Sequence, residues 1–569
     1  MSEISKVSLL DSKPGIRRDG TNLDADYYSD GQWVRFQRGR PKKMGGYSKM
    51  SDRISGPVRD NVVWSRSDMV NVFSFSTNKI EMIQVDQDGN GSSIVDLTPL
   101  ADFTGNDNYL WSTANMYDSA AGSEAAVILA VPTNTANNID DFTENALIYG
   151  LADGSTEFEV VADVNAVASG GVFVSAPYAI LYGSDGKVTW SNANEPLNYT
   201  TGDAGTNRAT GSKIVKGLPI QSGSGAAGLL WSIDSLIKMD YIGGAAIFRF
   251  TRLGSCSIIA QNSAIEYDGI FYWIGIDRFY ASNGGSPAEL PNDMNINWFF
   301  DNLNYTYRNK IWAMKIPRYG EIWWFYPRGN NTECSHAIIL NVREKIWYDC
   351  ELPRSSGFYS QVFRYPIMVS SEENDLFEVI VSSSSGDFKT GDILLGTSSG
   401  AIGTIITVTS GSFHLKYGNG NRFEIGEGIS NTSRTGAATI DSITYFRTMY
   451  VHEKGHNKVD EQELAIKSWF TNADFGLPAN QMLNRNTRLT RIEPDFLQEG
   501  SLSVEVLGHD YANSEETIDG PFDFTSSTEK IDIRVQRRHL QLRVTSNEVN
   551  GHYEMGKTIL WTEPGDVRP

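Results

Sequence analysis

Along the chain, short runs of alternating apolar and polar residues are separated by clusters of Gly, Asn, Asp and Ser, a period-two pattern that predicts strands joined by tight turns. Val70 to Phe75 (VNVFSF), the turn Ser76 to Lys79 and Ile80 to Val85 (IEMIQV) make one predicted hairpin. The unit recurs as Tyr178 to Tyr182, Gly183 to Lys187 and Val188 to Ser191, and again as Ala337 to Val342, Arg343 to Lys345 and Ile346 to Tyr348, with Trp190 and Trp347 at similar places after their turns. Between Trp64 and Tyr365 such pairs arrive about every 40 to 50 residues, the spacing of a four-stranded propeller blade. Gly269 to Tyr280, and Lys310 to Ile316 followed by Glu321 to Tyr326, are further examples. The expected fold is therefore all-β, with a β-propeller-like body favoured over stacked sandwiches, since a closed ring leaves few strand edges exposed. Helical periodicity is scarce.

Phe388, Gly391, Asp392, Thr397, Ser398 and Thr404 recur 35 residues later as Phe423, Gly426, Glu427, Thr432, Ser433 and Thr439. This duplication, free of Trp and rich in Gly, Ser and Thr, marks a small inserted β module. The predicted organisation is an N-terminal arm with the first strands (1–55), a propeller body (56–372), the insert (373–443) and a C-terminal β region (444–569) completing the body, with strands at Ser501 to Leu507 and Lys530 to Val544.

Composition narrows the classes. The 569 residues are 40% hydrophobic and 21% charged, enough apolar surface for packed cores. No apolar run approaches the roughly 20 residues of a membrane span, and Met1 to Leu10 lacks the apolar core and cleavage site of a secretory signal, so a soluble chain made in the cytoplasm is expected. Three cysteines, Cys256, Cys334 and Cys350, do not make a disulfide framework and are expected as buried thiols. The net charge is -20, a field that repels polyanions and disfavours a sequence-reading DNA binder. It is uneven: residues 1–50 carry ten basic and six acidic side chains, so they are +4 and the remainder -24.

Four enzyme-like patterns occur, and context argues against each. Gly551 to Thr558 (GHYEMGKT) fits the phosphate loop G-x-x-x-x-G-K-[ST], but the ILWTEP that follows is not a helix, and His552, Tyr553 and Glu554 crowd the phosphate position. Gly223 to Gly228 (GSGAAG) fits the dinucleotide pattern, yet Leu229 to Ile233 and Ile237 to Ile242 read as a hairpin. His452 to His456 (HEKGH) fits a zinc hydrolase only on a helix, whereas Tyr445 to Val451 reads as a strand. Asp86 to Gly91 (DQDGNG) starts like a calcium loop, but Leu97 stands where the bidentate acid belongs. No catalytic residue, metal, nucleotide or cofactor is predicted, and the chain is read as a non-enzyme.

The basic run Trp33 to Tyr47 (WVRFQRGRPKKMGGY) gathers Arg35, Arg38, Arg40, Lys42 and Lys43 beside Trp33 and Phe36. On an acidic protein, such an arm is expected to dock on a neighbouring subunit's acidic face; contact with nucleic-acid phosphates is the weaker reading. The spacing W-x-R-F-x-x-G-x-P-x-K-x-G-G, carried by Trp33, Arg35, Phe36, Gly39, Pro41, Lys43, Gly45 and Gly46, resembles the opening of the tail nozzle, or packaged-DNA stabilisation, proteins of short-tailed bacteriophages. Gly186 to Asn192, Asp234 to Gly243, Asp268 to Gly285 and Arg537 to Gly556 resemble that family's hairpins. The resemblance implies a virion structural protein forming a homo-oligomeric ring, typically of six. That ring extends the portal and adaptor channel, retains the packaged double-stranded DNA and conducts it at ejection, in a tail assembled in the bacterial cytoplasm. The insert at 373–443 departs from a minimal nozzle, and tail fibres or spikes are the candidate partners for it. The competing expectation is a propeller that binds or cleaves glycans, which would need paired carboxylates about 5 to 9 Å apart in an aromatic cleft.

Overall fold

The computed structural model describes residues 6–567 except 22–25, 67–68, 87–89, 92, 100–102, 104, 121–125, 135–148, 153–154, 222–224, 477–484 and 512–513. Six antiparallel four-stranded sheets follow one another from Val58–Arg66 to Ile346–Glu351, each built from four consecutive strands. The hairpin read at Val70 to Val85 forms with Ile80 opposite Phe75 and Val85 opposite Val70. Buried apolar seams join each sheet to the next. Phe75 and Trp111 link blades one and two, Val172 and Leu129 link two and three, and Phe173 and Ile237 link three and four. Trp231 and Trp273 join four to five, and Phe279 and Trp324 join five to six. Each fully buried side chain of this size contributes about 1.5–3 kcal/mol, so the seams tie the sheets into one body.

A seventh blade closes the ring. Arg354–Phe358 pairs with the start of the long strand Ile367–Ser385, which pairs through Ile367 to Val369 with Met449 to Val451 of Ala437–His452. That strand in turn pairs with Tyr47–Ser55, which precedes blade one. Arg354–Phe358 contacts the first strand of blade six on one side and of blade one on the other. The propeller thus has seven blades among the described residues, latched by an N-terminal strand in the last blade. Ile54, Val58, Val72, Ile83, Val369 and Met449 fill this final seam.

The two long strands of blade seven run on past the ring and open into the inserted module. Its sheet closes on itself, because Ile367–Ser385 pairs with both Ser412–Tyr417 and Ala437–His452, and the other strands link the remaining neighbours. The module is a six-stranded barrel around Phe377, Leu394, Phe413, Leu415, Phe423 and Ile440. The duplicated acids explain its symmetry. Asp392 accepts the Lys389 amide at 2.9 Å and Asn431 Nδ2 at 2.7 Å, while Glu427 accepts the Glu424 amide at 2.6 Å and the Ser399 hydroxyl at 2.8 Å. Each repeat's acid holds its own turn and then reaches into the other repeat. Glu427 accepts from five backbone or hydroxyl groups, and Glu427→Gln, which turns one of its two oxygens into a donor, is expected to cost the barrel about 1–3 kcal/mol. Hydrogen exchange should then accelerate in 388–440 while blades one to six keep their protection; equal loss everywhere would contradict an autonomous barrel core.

Met449 to Val451 complete blade seven, as expected of the C-terminal region, whereas the chain from Ser468 onward builds sheets of its own beside the propeller. Ser468–Thr471 and Leu502–His509 lie with Asp30–Gln32 in one sheet, Arg485–Glu493 and Ile559–Val567 with Lys6–Leu9 in a second, and His552–Met555 with Arg40–Lys43 in a third. These sheets enclose a core with Trp323, Phe325 and Ile339 of blade six. The physical reason is pairing demand: the chain's two ends satisfy each other's edges, and the latch strand has already satisfied blade seven. The three cysteines are free thiols and buried, as expected. Among the described residues, no helix is long and apolar enough to cross a membrane.

Candidate functional site

The basic run folds as a hairpin, Val34–Gln37 against Arg40–Lys43, whose two-residue turn has Arg38 and Gly39 both at positive φ (53° and 73°). That geometry matches the twist of the flanking strands and favours glycine at the second position. Of the seven residues expected at an assembly contact, four turn inward. Trp33, Arg35, Phe36 and Lys43 are at most 4% exposed, so they are not available at a surface of this chain. Phe36 packs against Tyr28 and Tyr348, with ring centroids 5.1 and 5.6 Å away. Lys43 donates to Ser546 Oγ at 3.3 Å, and burial lowers its ammonium to about 8.

Arg35 is the centre of a buried charge network. Its guanidinium donates to Glu321 of blade six (2.9 and 3.1 Å) and to Glu453, after blade seven (both 2.7 Å), and lies 3.6 Å from the Tyr319 ring centroid. Tyr348 and Trp323 complete Glu321 by donating to it at 2.7 and 2.8 Å. Burial disfavours the charge, but the two carboxylates outweigh it and hold the guanidinium protonated. One side chain of the N-terminal arm therefore ties the arm to two blades. The glycines of the run have a steric reason too: a Cβ at Gly46 would collide with the Asn457 backbone, and one at Gly45 with Glu453. Arg38 is left outside, while Arg40 and Lys42 are half-buried. Lys42 pairs with Glu554 at 3.2 Å, and Arg40 lies 3.9 Å from Asp11.

The motif matches resolve into strands and turns. Gly551 to Thr558 holds the strand His552–Met555 and leads straight into the strand Ile559–Val567. In the glycine pattern, Gly223 lies outside the described residues, and Ala227–Ser232 pairs with Ser235–Tyr241 as a hairpin. Residues 87–89 of the acidic turn also lie outside them; Asp86 accepts the Asn90 amide at 2.8 Å. His452 ends a strand, 3% exposed, and its Nε2 accepts from Arg354 Nε at 3.0 Å, while Glu453 serves Arg35. His456 instead stacks on His552, centroids 4.2 Å apart. Among the described residues, no group of three or more His, Cys, Asp or Glu could hold a metal ion.

That histidine stack has a pH signature. Burial first, then His456, Lys42 and Lys43, lower His552 from the ordinary 6.5 to about 4, and burial likewise lowers His456. A histidine with a depressed folded value binds its proton more readily when unfolded, so its contribution is intact above pH 6.5 and lost as pH falls toward 4. The expected result is a melting temperature that declines over that window, with a flatter decline in His552→Phe; identical slopes in the two proteins would refute it.

The axis of the propeller is not open. Asn262, from the segment before blade five, donates to the Arg59 carbonyl at 3.3 Å, receives Lys216 Nζ at 3.3 Å and accepts the Ala313 amide at 2.8 Å. Gln261 donates to the Trp111 carbonyl at 3.3 Å, Thr113 donates to Asp60 at 2.7 Å, and Asn61 donates to Ser356 at 2.8 Å. Blades one, two, four, six and seven thus meet in one polar plug. Desolvation there raises the Asp60 carboxyl and lowers Lys216.

A cavity of about 970 Å³ opens where the strands to the barrel leave the ring, between Arg59, Tyr109, Lys310, Glu333, Arg422 and Arg447. Sequence reasoning missed it. Its residues span positions 56 to 447 with no shared motif, and only the closing of the ring gathers them.

No family model matches the chain, and no curated protein matches it. It is all-β and propeller-like. Solved structures similar to it include BamB from Moraxella catarrhalis, at 12% identity and TM-score 0.33 over 64% of this chain and 95% of that one. Sqt1 from Saccharomyces cerevisiae is similar at 9% identity and TM-score 0.34, over 66% of this chain and 100% of that one. An exo-β-1,3-galactanase from Phanerochaete chrysosporium is similar at 8% identity and TM-score 0.24, over 91% of this chain and 100% of that one. These likenesses carry no argument about activity.

Proposed function

We propose that this chain is a structural, non-enzymatic subunit of a phage tail nozzle. In this reading several copies, typically six, form a ring that extends the portal and adaptor channel, retains packaged DNA and conducts it at ejection. The observation that carries it is the run Trp33 to Gly46, whose spacing resembles that family's opening. The fold is compatible with the role. Because the propeller axis is plugged by Asn262, Lys216 and their partners, a passage for DNA has to be enclosed between copies. A net charge of -20 on each copy makes such a wall non-adhesive toward phosphates, whose neutralisation would slow transit. Ring formation then has to overcome mutual repulsion, and Arg38, Arg40 and Lys42 are the residues of the basic run left to meet an acidic neighbour. The barrel at 373–443, held out on two long strands, is the part suited to meet fibres or spikes. Electron imaging of virions with an antibody to this chain, with mass photometry of the isolated protein, tests the reading. Label at the distal tail axis and a ring-sized oligomer are expected; a monomer absent from virions would overturn it.

A further inference from the structure

Three groups of complementary reactivity meet in the axial plug: a primary amine, a side-chain amide and a carboxyl. Lys216 lies on Ile214–Pro219, the first strand of blade four, and Asp60 on Val58–Arg66, the first strand of blade one. Asn262 belongs to the segment before blade five. Lys216 Nζ is 3.3 Å from Asn262 Oδ1, so the amide carbon is at most one C=O bond, about 1.23 Å, further away. An ammonium has three donors, and this single oxygen meets one of them. The amide is held from its other end, because its Nδ2 donates to the Arg59 carbonyl at 3.3 Å. Asp60 is fixed by the Asn61 amide at 2.8 Å and the Thr113 hydroxyl at 2.7 Å. All three residues are half-buried.

The surroundings favour reaction over simple contact. Burial lowers the Lys216 ammonium and raises the Asp60 carboxyl, and each charge only partly offsets the other's shift. Both shifts favour a neutral amine beside a neutral acid. A neutral amine is a nucleophile, whereas an ammonium is not. Groups held together by a fold also react as though highly concentrated, up to about 10⁵–10⁸ M when well oriented. In the step these positions allow, the Lys216 ammonium gives a proton to Asp60 and its nitrogen attacks Cγ of Asn262. The Nζ–Cγ bond forms, Asp60 passes its proton to Nδ2, the Cγ–Nδ2 bond breaks and ammonia leaves. The second proton shed by Nζ ends on Asp60, so atoms and charge balance without an oxidant or any other reactant.

We infer that Lys216 and Asn262 join in an autocatalytic isopeptide bond, with Asp60 as the proton carrier, tying blade four covalently to the segment before blade five. The inference is independent of the tail reading. Intact-mass spectrometry of the purified full chain, fresh and after prolonged incubation, tests it. The expected mass lies about 17 Da below that of the sequence counted from the observed N-terminus, one ammonia per chain. Tryptic digestion should then yield one branched peptide joining the segments around Lys216 and Asn262. Lys216→Arg and Asn262→Ala should each keep the full mass, and Asp60→Asn should form the bond at least tenfold more slowly. Melting curves verify that the variants fold, and the wild-type measurement needs no variant. The full sequence mass in the wild type at both times would overturn the proposal. So would loss of ammonia without the branched peptide, as a succinimide at an Asn–Gly step such as Asn419 and Gly420 would give. An unchanged rate in Asp60→Asn would overturn the proton transfer through that carboxyl.

Discussion

Arg35→Met is expected to lower the stability of the folded chain by about 3–5 kcal/mol, the usual cost of removing one partner from a buried ion network. The wild-type guanidinium is 1% exposed and satisfies two carboxylates that are themselves 0% and 6% exposed. With it gone, Glu321 keeps only the Tyr348 and Trp323 donors, and Glu453 loses its charge partner in this network. Methionine fills much of the volume, so the loss reports charge rather than cavity. Arg35→Lys should recover only part of it, since one ammonium cannot make two forked contacts at once. The triple change Arg35→Met, Glu321→Gln, Glu453→Gln removes the uncompensated charges and should be more stable than Arg35→Met alone. Guanidinium denaturation midpoints decide the matter: an unshifted midpoint in Arg35→Met would show that the arm is not anchored here.

The second large effect belongs to the latch strand. Ile54 is 0% exposed and sits in the seam between blades seven and one, in the register that places it opposite Arg447. Ile54→Ala is expected to cost about 2–5 kcal/mol through lost transfer energy and the remaining cavity. Ile54→Asp should also open the seam, because Val58, Val369 and Met449 cannot solvate a carboxylate and Arg447, opposite it in the register, is its one nearby cation and is already shared with Glu373. A ring has only one seam formed by residues distant in sequence, so opening it exposes the edges of blades seven and one together. Limited proteolysis of Ile54→Asp should cut first near 47–58 and in 354–371. Cleavage that begins instead in blades three to five would mean that Tyr47–Ser55 is not what holds the ring shut.

Both residues show why part of this molecule was legible in advance and part was not. The hairpin at Val70 to Val85, the pair at Tyr178 to Ser191 and that at Ala337 to Tyr348 form where their alternation places them, because a tight turn leaves antiparallel pairing as the nearest way to satisfy the backbone. The barrel was likewise visible as a duplication of Phe388 to Thr404. Arg35 was not legible as an anchor, since its carboxylates lie 286 and 418 residues away and a basic run is usually a solvated face. Arg38 conforms to that usual behaviour; the half-buried Arg40 and Lys42 and the buried Arg35 and Lys43 do not. The cavity was hidden for the same reason, with Arg59 meeting Glu333 across 274 positions.

The sequence by itself determined what depends on neighbours: the all-β class, the four-strand rhythm, the inserted duplication, the acidic field and the strand context that defeats the enzyme-like motifs. Tertiary structure alone decided the number of blades, the strand that latches the ring, the pairing of the two chain ends into their own sheets, the plug in the axis and the burial of the basic run. Those features are contacts between segments hundreds of residues apart. Their energy comes from desolvation and complementary partners that exist only once the ring has closed, so no local period or composition encodes them.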